Sequence, residues 1–175
     1  MKREVSKYYA NSLFSLPLEL LAKKGYKVFL IDLDNTLTSP FSKKPDKRSY
    51  DLFERLYKLG IDAYIISNNH KKRVEEFASR LKVSYVYHAF KPFKFKIERF
   101  ILQNGLNKSK ILLVGDQIIN DMYLSRSLKV DGLLVNPISK KDNIYTKLIR
   151  PFDKAYKKRL IKENRLGTYL KESEE

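Results

Sequence analysis

The chain has 175 residues, 43% of them hydrophobic, which suits one domain with a single buried core. Its 36 Lys and Arg residues against 20 Asp and Glu residues give a formal charge of +16. This charge favours phosphate-rich partners such as nucleic acid, anionic lipid or a phosphorylated metabolite, although an excess of solvated lysines would produce it without any partner. Cysteine is absent, which excludes disulfides, thiolate nucleophiles and Cys-ligated zinc and is typical of an intracellular protein.

The N-terminal segment, about 1–24, is predicted to be amphipathic. Its apolar stretch 12–21 is interrupted by Pro17 and Glu19 and is followed by no small-residue cleavage pattern, so it does not resemble a signal peptide. No apolar run approaches the roughly 20 residues that span a bilayer. We therefore expect a cytoplasmic protein, with contact to a membrane limited to its surface.

Short β-rich runs then alternate with amphipathic helical patterns. Strands are predicted at 27–33, 61–67, 83–88, 110–115 and 132–135. Helical stripes are predicted at 52–59, 74–81 and 97–101, and Gly60 and Gly105 follow two of them. This alternation indicates an α/β fold of the Rossmann-like class, a parallel doubly wound sheet with helices on both faces and ligands at the carboxyl edge of the strands.

The last predicted element is a basic helix of about 144–168. It combines the apolar residues Tyr156, Leu160 and Ile161 with a dense set of cations. These cations are Lys154, Lys157, Lys158, Arg159, Lys162 and Arg165. No repeat, low-complexity linker or domain boundary interrupts the chain, so we predict one domain over 1–175.

The first acidic motif directly follows the first predicted strand, in the run 32–37 (DLDNTL). Asp32 and Asp34 can converge on one cation if the chain bends after the strand, and Mg²⁺ prefers such oxygen ligands. Thr36 lies in the same loop. The residues Asp, Asn and Thr are also common in turns, so a structural loop or helix cap is the alternative interpretation.

The second acidic motif follows another apolar strand, where Gly115 precedes Asp116 and Asp121 comes soon after. Asp116 can supply a third carboxylate to the same cation. Asp121 can instead complement the positive end of the next helix. Two acidic strand ends in one α/β chain favour a shared site, because clustered carboxylates are costly without a counter-charge.

Two further strand ends carry groups suited to a phosphoryl ligand. Ser67 and Asn68 end the strand 61–67, and Lys91 follows the strand 83–88. A hydroxyl and an ammonium can hold a phosphoryl group and neutralise its charge before a carboxylate attacks it. A solvated role is the alternative for any one Lys, but Pro92 keeps Lys91 extended before the next helix.

In chain order these strand ends resemble the four motifs of the haloacid dehalogenase (HAD) superfamily. Nearly the whole chain is similar to the YqeG-type family of small HAD phosphatases, which is itself similar to mitochondrial phosphatidylglycerophosphate phosphatases. The runs that carry the closer resemblance are 67–69 (SNN), 89–92 (AFKP), 114–117 (VGDQ), 136–138 (NPI) and 146–160. The segment 38–48 is too short for a large cap domain, so we expect an open site.

The resemblance implies a role for each matching residue. Asp32 matches the nucleophile and Asp34 the general acid and base, whereas Ser67, Asn68 and Lys91 match phosphate-binding positions. The implied Mg²⁺ ligands are Asp32, the backbone carbonyl of Asp34, and Asp116, with Thr36 and Asp121 in support. The chain departs from the family pattern at Asn120 and 124–127, which puts any substrate contact of that run in doubt.

We therefore expect a Mg²⁺-dependent phosphomonoester hydrolase that forms an aspartyl-phosphate and acts on phosphatidylglycerophosphate. The alternatives are a phosphatase of a soluble or nucleic-acid-linked phosphomonoester, or a basic RNA- or ribosome-associated binding protein with little turnover. Peripheral contact with an anionic membrane is favoured over nucleic acid. His70 and His88 are expected to have packing roles, and the Tyr and Phe residues to lie mostly in the core. The sequence leaves the oligomeric state open.

Overall fold

The computed structural model describes residues 4–139 and 144–171, so the two ends of the predicted 1–175 domain lie outside the described residues. Its described strands form one seven-stranded sheet in the order β4-β3-β2-β5-β6-β1-β7, and every pairing is parallel. The strands are β1 (Tyr8–Ala10), β2 (Val28–Asp32), β3 (Asp62–Ile66), β4 (Tyr85–Val86), β5 (Ile111–Gly115), β6 (Asp131–Val135) and β7 (Thr168–Tyr169). The helices are α1 (Leu18–Lys23), α2 (Lys47–Lys58), α3 (Lys71–Leu81), α4 (Phe95–Gln103), α5 (Tyr123–Leu128) and α6 (Ile144–Lys162), with a 3₁₀ turn at Lys108–Lys110 and a π-helical turn at Ile118–Met122.

Helices cover both faces of the sheet, as the alternating pattern predicts. Strand β2 is buried on both sides, because Phe29 and Ile31 belong to one apolar cluster while Val28 and Leu30 belong to the other. The first cluster includes the apolar faces of α1, α2 and α3, and the second includes those of α4, α5 and α6. This confirms the predicted doubly wound α/β class, with no large cap domain between β2 and α2 in the described residues.

The two ends of the described chain differ from the sequence-based prediction. The predicted basic helix of about 144–168 ends at Lys162, because Asn164 and Gly167 adopt left-handed backbone angles and turn the chain back to the sheet. A Cβ at Gly167 would lie 2.3 Å from the carbonyl oxygen of Ser6, so only glycine fits this turn. The chain then pairs β7 with β1, a strand inside the predicted amphipathic N-terminal segment.

Strand β4 is shorter than the predicted 83–88. Its ladder ends at Val86, and both His88 (φ 43°) and Phe90 (φ 55°) adopt positive backbone angles that a regular strand cannot accommodate. No helix in the described part of the chain is long and apolar enough to cross a membrane. The segments that follow β2, β3, β4 and β5 all leave the carboxyl edge of the sheet, where the predicted site residues lie.

Candidate active site

Three buried carboxylates meet at the carboxyl edge of the central strands. Asp32 is the last residue of β2, Asp116 directly follows β5, and Asp121 lies in the π-helical turn. One carboxylate oxygen from each lies within 4.8 Å of the other two. The structure therefore brings together the two acidic strand ends that the sequence singled out, because β2 and β5 are adjacent parallel strands.

Lys91 contacts two of these carboxylates. Its Nζ donates to Asp32 Oδ1 at 2.5 Å and to Asp121 Oδ1 at 2.7 Å, and all three side chains are buried. Asn68 supports Lys91 by accepting a hydrogen bond from its backbone N–H at 2.7 Å and donating one to its carbonyl oxygen at 3.1 Å. The side chain of Asn68, a predicted phosphate-binding residue, is therefore used to position Lys91.

Ser67 is buried at the end of β3 and its Oγ accepts a hydrogen bond from the backbone N–H of Asn69 at 3.1 Å. A serine hydroxyl that accepts this bond can still donate its own hydrogen to a phosphate oxygen. Thr36 donates to Asp116 Oδ1 at 3.4 Å, which agrees with a supporting role beside that carboxylate. The sequence-predicted hydroxyls thus lie at the same edge as the acidic cluster.

Both carboxylate oxygens of Asp34 have partners outside the cluster of Asp32, Asp116 and Asp121. Its Oδ1 accepts a hydrogen bond from the Arg73 guanidinium at 2.9 Å, and its Oδ2 accepts one from Asn69 Nδ2 at 3.0 Å. Arg73 also donates to the carbonyl oxygens of Ser39 and Ser42, so it connects Asp34 to the loop after β2. With both side-chain oxygens occupied, the backbone carbonyl is the group of Asp34 that remains to ligate a metal.

Glycine is required where β5 meets Asp121. A Cβ at Gly115 would lie 2.2 Å from Cγ of Asp121, so any side chain there would displace the buried carboxylate. Asp121 Oδ2 accepts a hydrogen bond from the backbone N–H of Gln117 at 3.0 Å. With Oδ1 bound to Lys91, Asp121 has a partner on each oxygen, which fits the supporting role implied by the family resemblance.

The turn that carries Asp121 is anchored from α6. Asp153 is buried and accepts hydrogen bonds from the backbone N–H groups of Ile118 at 3.1 Å and Ile119 at 3.0 Å. These N–H groups begin a helical turn and would otherwise lack intrahelical partners. The C-terminal helix therefore supports the site, whereas its sequence indicated a basic amphipathic helix with no link to the site.

The cluster carries more negative than positive charge. Three carboxylates meet in this buried site and the Lys91 ammonium contacts two of them, so acidic groups outnumber that cation. Burial raises the pKa of Asp32 well above its usual value, and Asp121 and Asp116 raise it further while Lys91 opposes them. Burial lowers the pKa of Lys91, but Asp121 and Asp32 outweigh this and hold it above its usual value. Oxygen donors with this excess charge fit a divalent cation such as Mg²⁺.

The raised pKa of Asp32 predicts how Mg²⁺ binding depends on pH. Because its pKa is raised, Asp32 binds a proton more readily in the folded metal-free protein than in the unfolded chain, so this contribution to stability is present at low pH and disappears as pH rises through the folded pKa. Mg²⁺ requires the ionised carboxylate, so its binding releases that proton. We expect Mg²⁺ to raise the melting temperature more at about pH 8 than at about pH 5.5.

Calorimetry in two buffers of different ionisation enthalpy would measure the released proton directly. The Asp32→Asn variant is the control, because it has no proton to release at this position. An increase in melting temperature that is the same at both pH values would contradict the assignment of Asp32 to the metal site.

Sequence reasoning missed three site residues: Arg73, Asn69 in its contact with Asp34, and Asp153. Arg73 gave no distinguishing signal among the many cations, and its partner Asp34 lies 39 positions away in the chain. One local feature could have indicated a role for Arg73 at the site. It lies one helical turn after the SNN run (67–69) that follows β3, and the first turn of α3 starts at the same edge of the sheet. His70 accepts a hydrogen bond from the backbone N–H of Arg73 at 3.1 Å as the N-cap of α3, a structural role that differs from the predicted packing.

Comparison with known proteins supports the same fold. No family model matches the chain. It is similar to "Probable phosphatase YqeG" of Bacillus subtilis (strain 168), with 27% identity over 146 residues that cover 83% of this chain and 85% of YqeG.

Two solved structures share the architecture. A Vibrio cholerae protein assigned as a 3-deoxy-D-manno-octulosonate 8-phosphate phosphatase matches with a TM-score of 0.51 and 17% identity over 65% of this chain and 67% of that one. The corresponding phosphatase of Moraxella catarrhalis, solved with a magnesium ion, a phosphate ion and KDO, matches with a TM-score of 0.50 and 14% identity over 83% of this chain and 98% of that one. These similarities confirm the predicted HAD-type fold and the resemblance to YqeG.

Proposed function

We propose that this chain, which has the HAD fold and is similar to YqeG, is a Mg²⁺-dependent phosphomonoester hydrolase that works through an aspartyl-phosphate. The observation that carries the proposal is the contact of Lys91 with Asp32 inside a buried acidic cluster at the carboxyl edge of the sheet. Steady hydrolysis of p-nitrophenyl phosphate that depends on Mg²⁺ tests it. A protein that binds RNA in a strongly salt-dependent way but turns over no ester would be a binding protein instead.

Asp32 is the nucleophile. One of its carboxylate oxygens attacks the substrate phosphorus, and the bond between phosphorus and the leaving oxygen breaks. Lys91 holds the carboxylate and offsets part of the charge that repels the phosphate, while the Ser67 hydroxyl donates to a phosphate oxygen. Asp32, Asp116 and the backbone carbonyl of Asp34 are the groups that would hold Mg²⁺, which supplies further charge neutralisation.

Asp34 is the general acid and base. It donates a proton to the leaving oxygen, and it then takes a proton from the water that attacks the aspartyl-phosphate, which releases inorganic phosphate and regenerates Asp32. Arg73 and Asn69 hold the two oxygens of Asp34 and so set its position relative to Asp32. Arg73 is a positioning residue in this mechanism, because it reaches the chemistry through Asp34.

Asp34→Asn should slow turnover by about 100-fold to 10,000-fold on an ester with a poor leaving group such as glycerol phosphate. An activated aryl phosphate needs little protonation on departure, so it should still phosphorylate Asp32, and the aspartyl-phosphate should accumulate because its hydrolysis lacks a base. Rapid-quench measurement of acid-stable phosphoprotein detects the intermediate. Equal losses on both esters would contradict the assignment of Asp34.

Arg73→Gln should reproduce this pattern in weaker form, with kcat reduced by about tenfold to 100-fold and KM little changed, because Asp34 loses a positioning contact. Arg80→Gln is the matched control, since Arg80 lies on the same helix and pairs with Glu76 at the surface. Arg73→Lys should recover part of kcat. A variant whose KM rises while kcat is retained would show that Arg73 contacts substrate and does not position Asp34.

For the substrate we propose phosphatidylglycerophosphate, on three grounds. The formal charge of +16 attracts anionic surfaces, the similarity to YqeG extends over most of the chain, and the described residues between β2 and α2 add no cap over the site. A bulky lipid headgroup can reach such an open site. A panel of soluble, nucleotide and vesicle-borne phosphate esters, compared by kcat/KM, tests this assignment against a soluble phosphomonoester.

A further inference from the structure

Three exposed phenylalanines surround Lys91 in sequence. The exposed fractions are 64% for Phe90, 65% for Phe93 and 75% for Phe95, although the sequence predicted most aromatic residues in the core. We call residues 88–96, which end in the first turn of α4, the aromatic loop. Lys91, in the middle of this loop, reaches Asp32, so the loop forms part of the rim of the site. Large apolar side chains grouped at the mouth of a site indicate a surface that meets a partner.

In the aromatic loop, the Lys91 side chain reaches into the site while the neighbouring Phe90 side chain is exposed to solvent. Phe90 has a φ of 55°, an angle that a bulky L-residue rarely adopts, and His88 before it has a φ of 43°. The His88 ring stacks on the Phe90 ring at 6.1 Å between centroids. Glycine would adopt this backbone conformation with less strain, so a phenylalanine at position 90 has a conformational cost.

Positive charge accompanies the apolar side chains. Besides the buried Lys91, the segment 88–100 contains Lys94, Lys96 and Arg99 against one acidic residue, Glu98, which pairs with Lys94 and Lys108. Aromatic rings flanked by cations are typical of surfaces that insert shallowly into an anionic bilayer.

We propose that the aromatic loop docks the protein on an anionic phospholipid bilayer, with the mouth of the site facing the lipid headgroups. This inference rests on the proposed function, because docking on a bilayer would bring the site to a lipid-borne phosphate ester. The phenyl rings lack hydrogen-bonding groups and suit the acyl boundary. Lys94 pairs with Glu98 and Lys96 donates to the carbonyl oxygen of Tyr87 at 2.5 Å, so the exposed phenyl rings are the main groups that this surface offers to a partner.

The structure also changes where membrane contact is expected. Leu13, Leu18 and Leu21 of the predicted amphipathic N-terminal segment are buried in the core, so these residues cannot face a bilayer. In the basic cluster of α6, Arg159 pairs with Glu163, and Lys157 donates to Asn136 Oδ1 at 2.7 Å. The rim of the site therefore offers apolar side chains and charge together.

Co-sedimentation with vesicles tests the proposal. Wild-type protein should bind vesicles that contain phosphatidylglycerol, and Phe93→Ser/Phe95→Ser should weaken that binding by about tenfold or more, since binding scales with buried apolar area. Tyr57→Ser/Leu102→Ser is the matched control. It removes two side chains that are 84% and 71% exposed near the carboxyl-terminal ends of α2 and α4, at the opposite edge of the sheet, and should leave binding within about twofold.

Hydrolysis of a soluble aryl phosphate is measured in parallel, so that the two proposals fail separately. Equal vesicle binding by both double variants would overturn docking by the aromatic loop while leaving the phosphatase intact. Vesicle binding that is lost only in the loop variant would support docking even if wild-type protein hydrolysed no ester. Wild-type protein that ignores the vesicles but binds single-stranded RNA through Phe93 and Phe95 would assign the loop to nucleic acid instead.

Discussion

Replacing Asp32 by asparagine is expected to lower kcat by about 1,000-fold or more on every substrate, because an amide does not attack phosphorus and no aspartyl-phosphate can form. The same change should raise the melting temperature of the metal-free protein. Burial and the neighbouring carboxylates disfavour the ionised form of Asp32, and the variant removes that charge while Lys91 keeps its contact with Asp121. Steady-state kinetics and thermal melting in EDTA measure the two effects.

A loss of activity together with a gain of stability separates chemistry from misfolding. Asp131→Asn provides a control, because Asp131 pairs with Lys7 in a partly exposed position on β6 and not at the site. Activity of Asp32→Asn within tenfold of wild type, measured on a preparation free of deamidated protein, would rule out the covalent mechanism.

Replacing Lys91 by methionine should cause the largest combined loss. Methionine fills a similar volume but removes the buried ammonium that contacts Asp32 and Asp121, so we expect a loss of about 3–5 kcal/mol in the free energy of unfolding without metal. The rate should fall by about 100-fold to 1,000-fold, because the charge that offsets the phosphate is lost. Denaturant unfolding and turnover of p-nitrophenyl phosphate provide the two measurements.

The charge explanation for Lys91 can be tested with a second substitution. Lys91→Met/Asp121→Asn removes a negative charge along with the positive one, so it should recover much of the stability without recovering activity. Lys94→Met, three residues along the chain, removes a partly exposed ion pair with Glu98 and should change stability by about 0.5 kcal/mol or less. Failure of the double variant to recover stability would show that Lys91 stabilises the fold by packing and not by charge.

The strand ends of the site could be predicted from the sequence because each motif directly follows an apolar run. Parallel strands bring their carboxyl ends to one edge, so Asp32 and Asp116 had to meet once β2 and β5 were recognised as neighbours of one sheet. Lys91 could be singled out because the residue before proline is held extended. Local pattern and sheet topology thus sufficed for the acidic cluster and its cation.

Contacts that depend on side-chain direction could not be predicted in this way. Arg73 and Asp153 lie on helices whose sequences show ordinary polar residues, and each finds its partner only after the helix packs on the sheet. The aromatic loop was missed for a similar reason. Exposed and buried phenylalanines look alike in sequence, and the positive φ of Phe90 that turns its ring outward leaves no local signature.

Asp153 of helix α6 caps the π-helical turn, so the C-terminal helix is connected to the centre of the site. The N–H groups of Ile118 and Ile119 can exchange with solvent only when α6 separates from the turn that holds Asp121. Helix α6, this turn and the contact of Asp121 with Lys91 should therefore open together as one cooperative unit, well before the central strands unfold. A disturbance of the C-terminal helix, by proteolysis or by a bound partner, would then reach the acidic cluster through Asp153 and the turn that it caps.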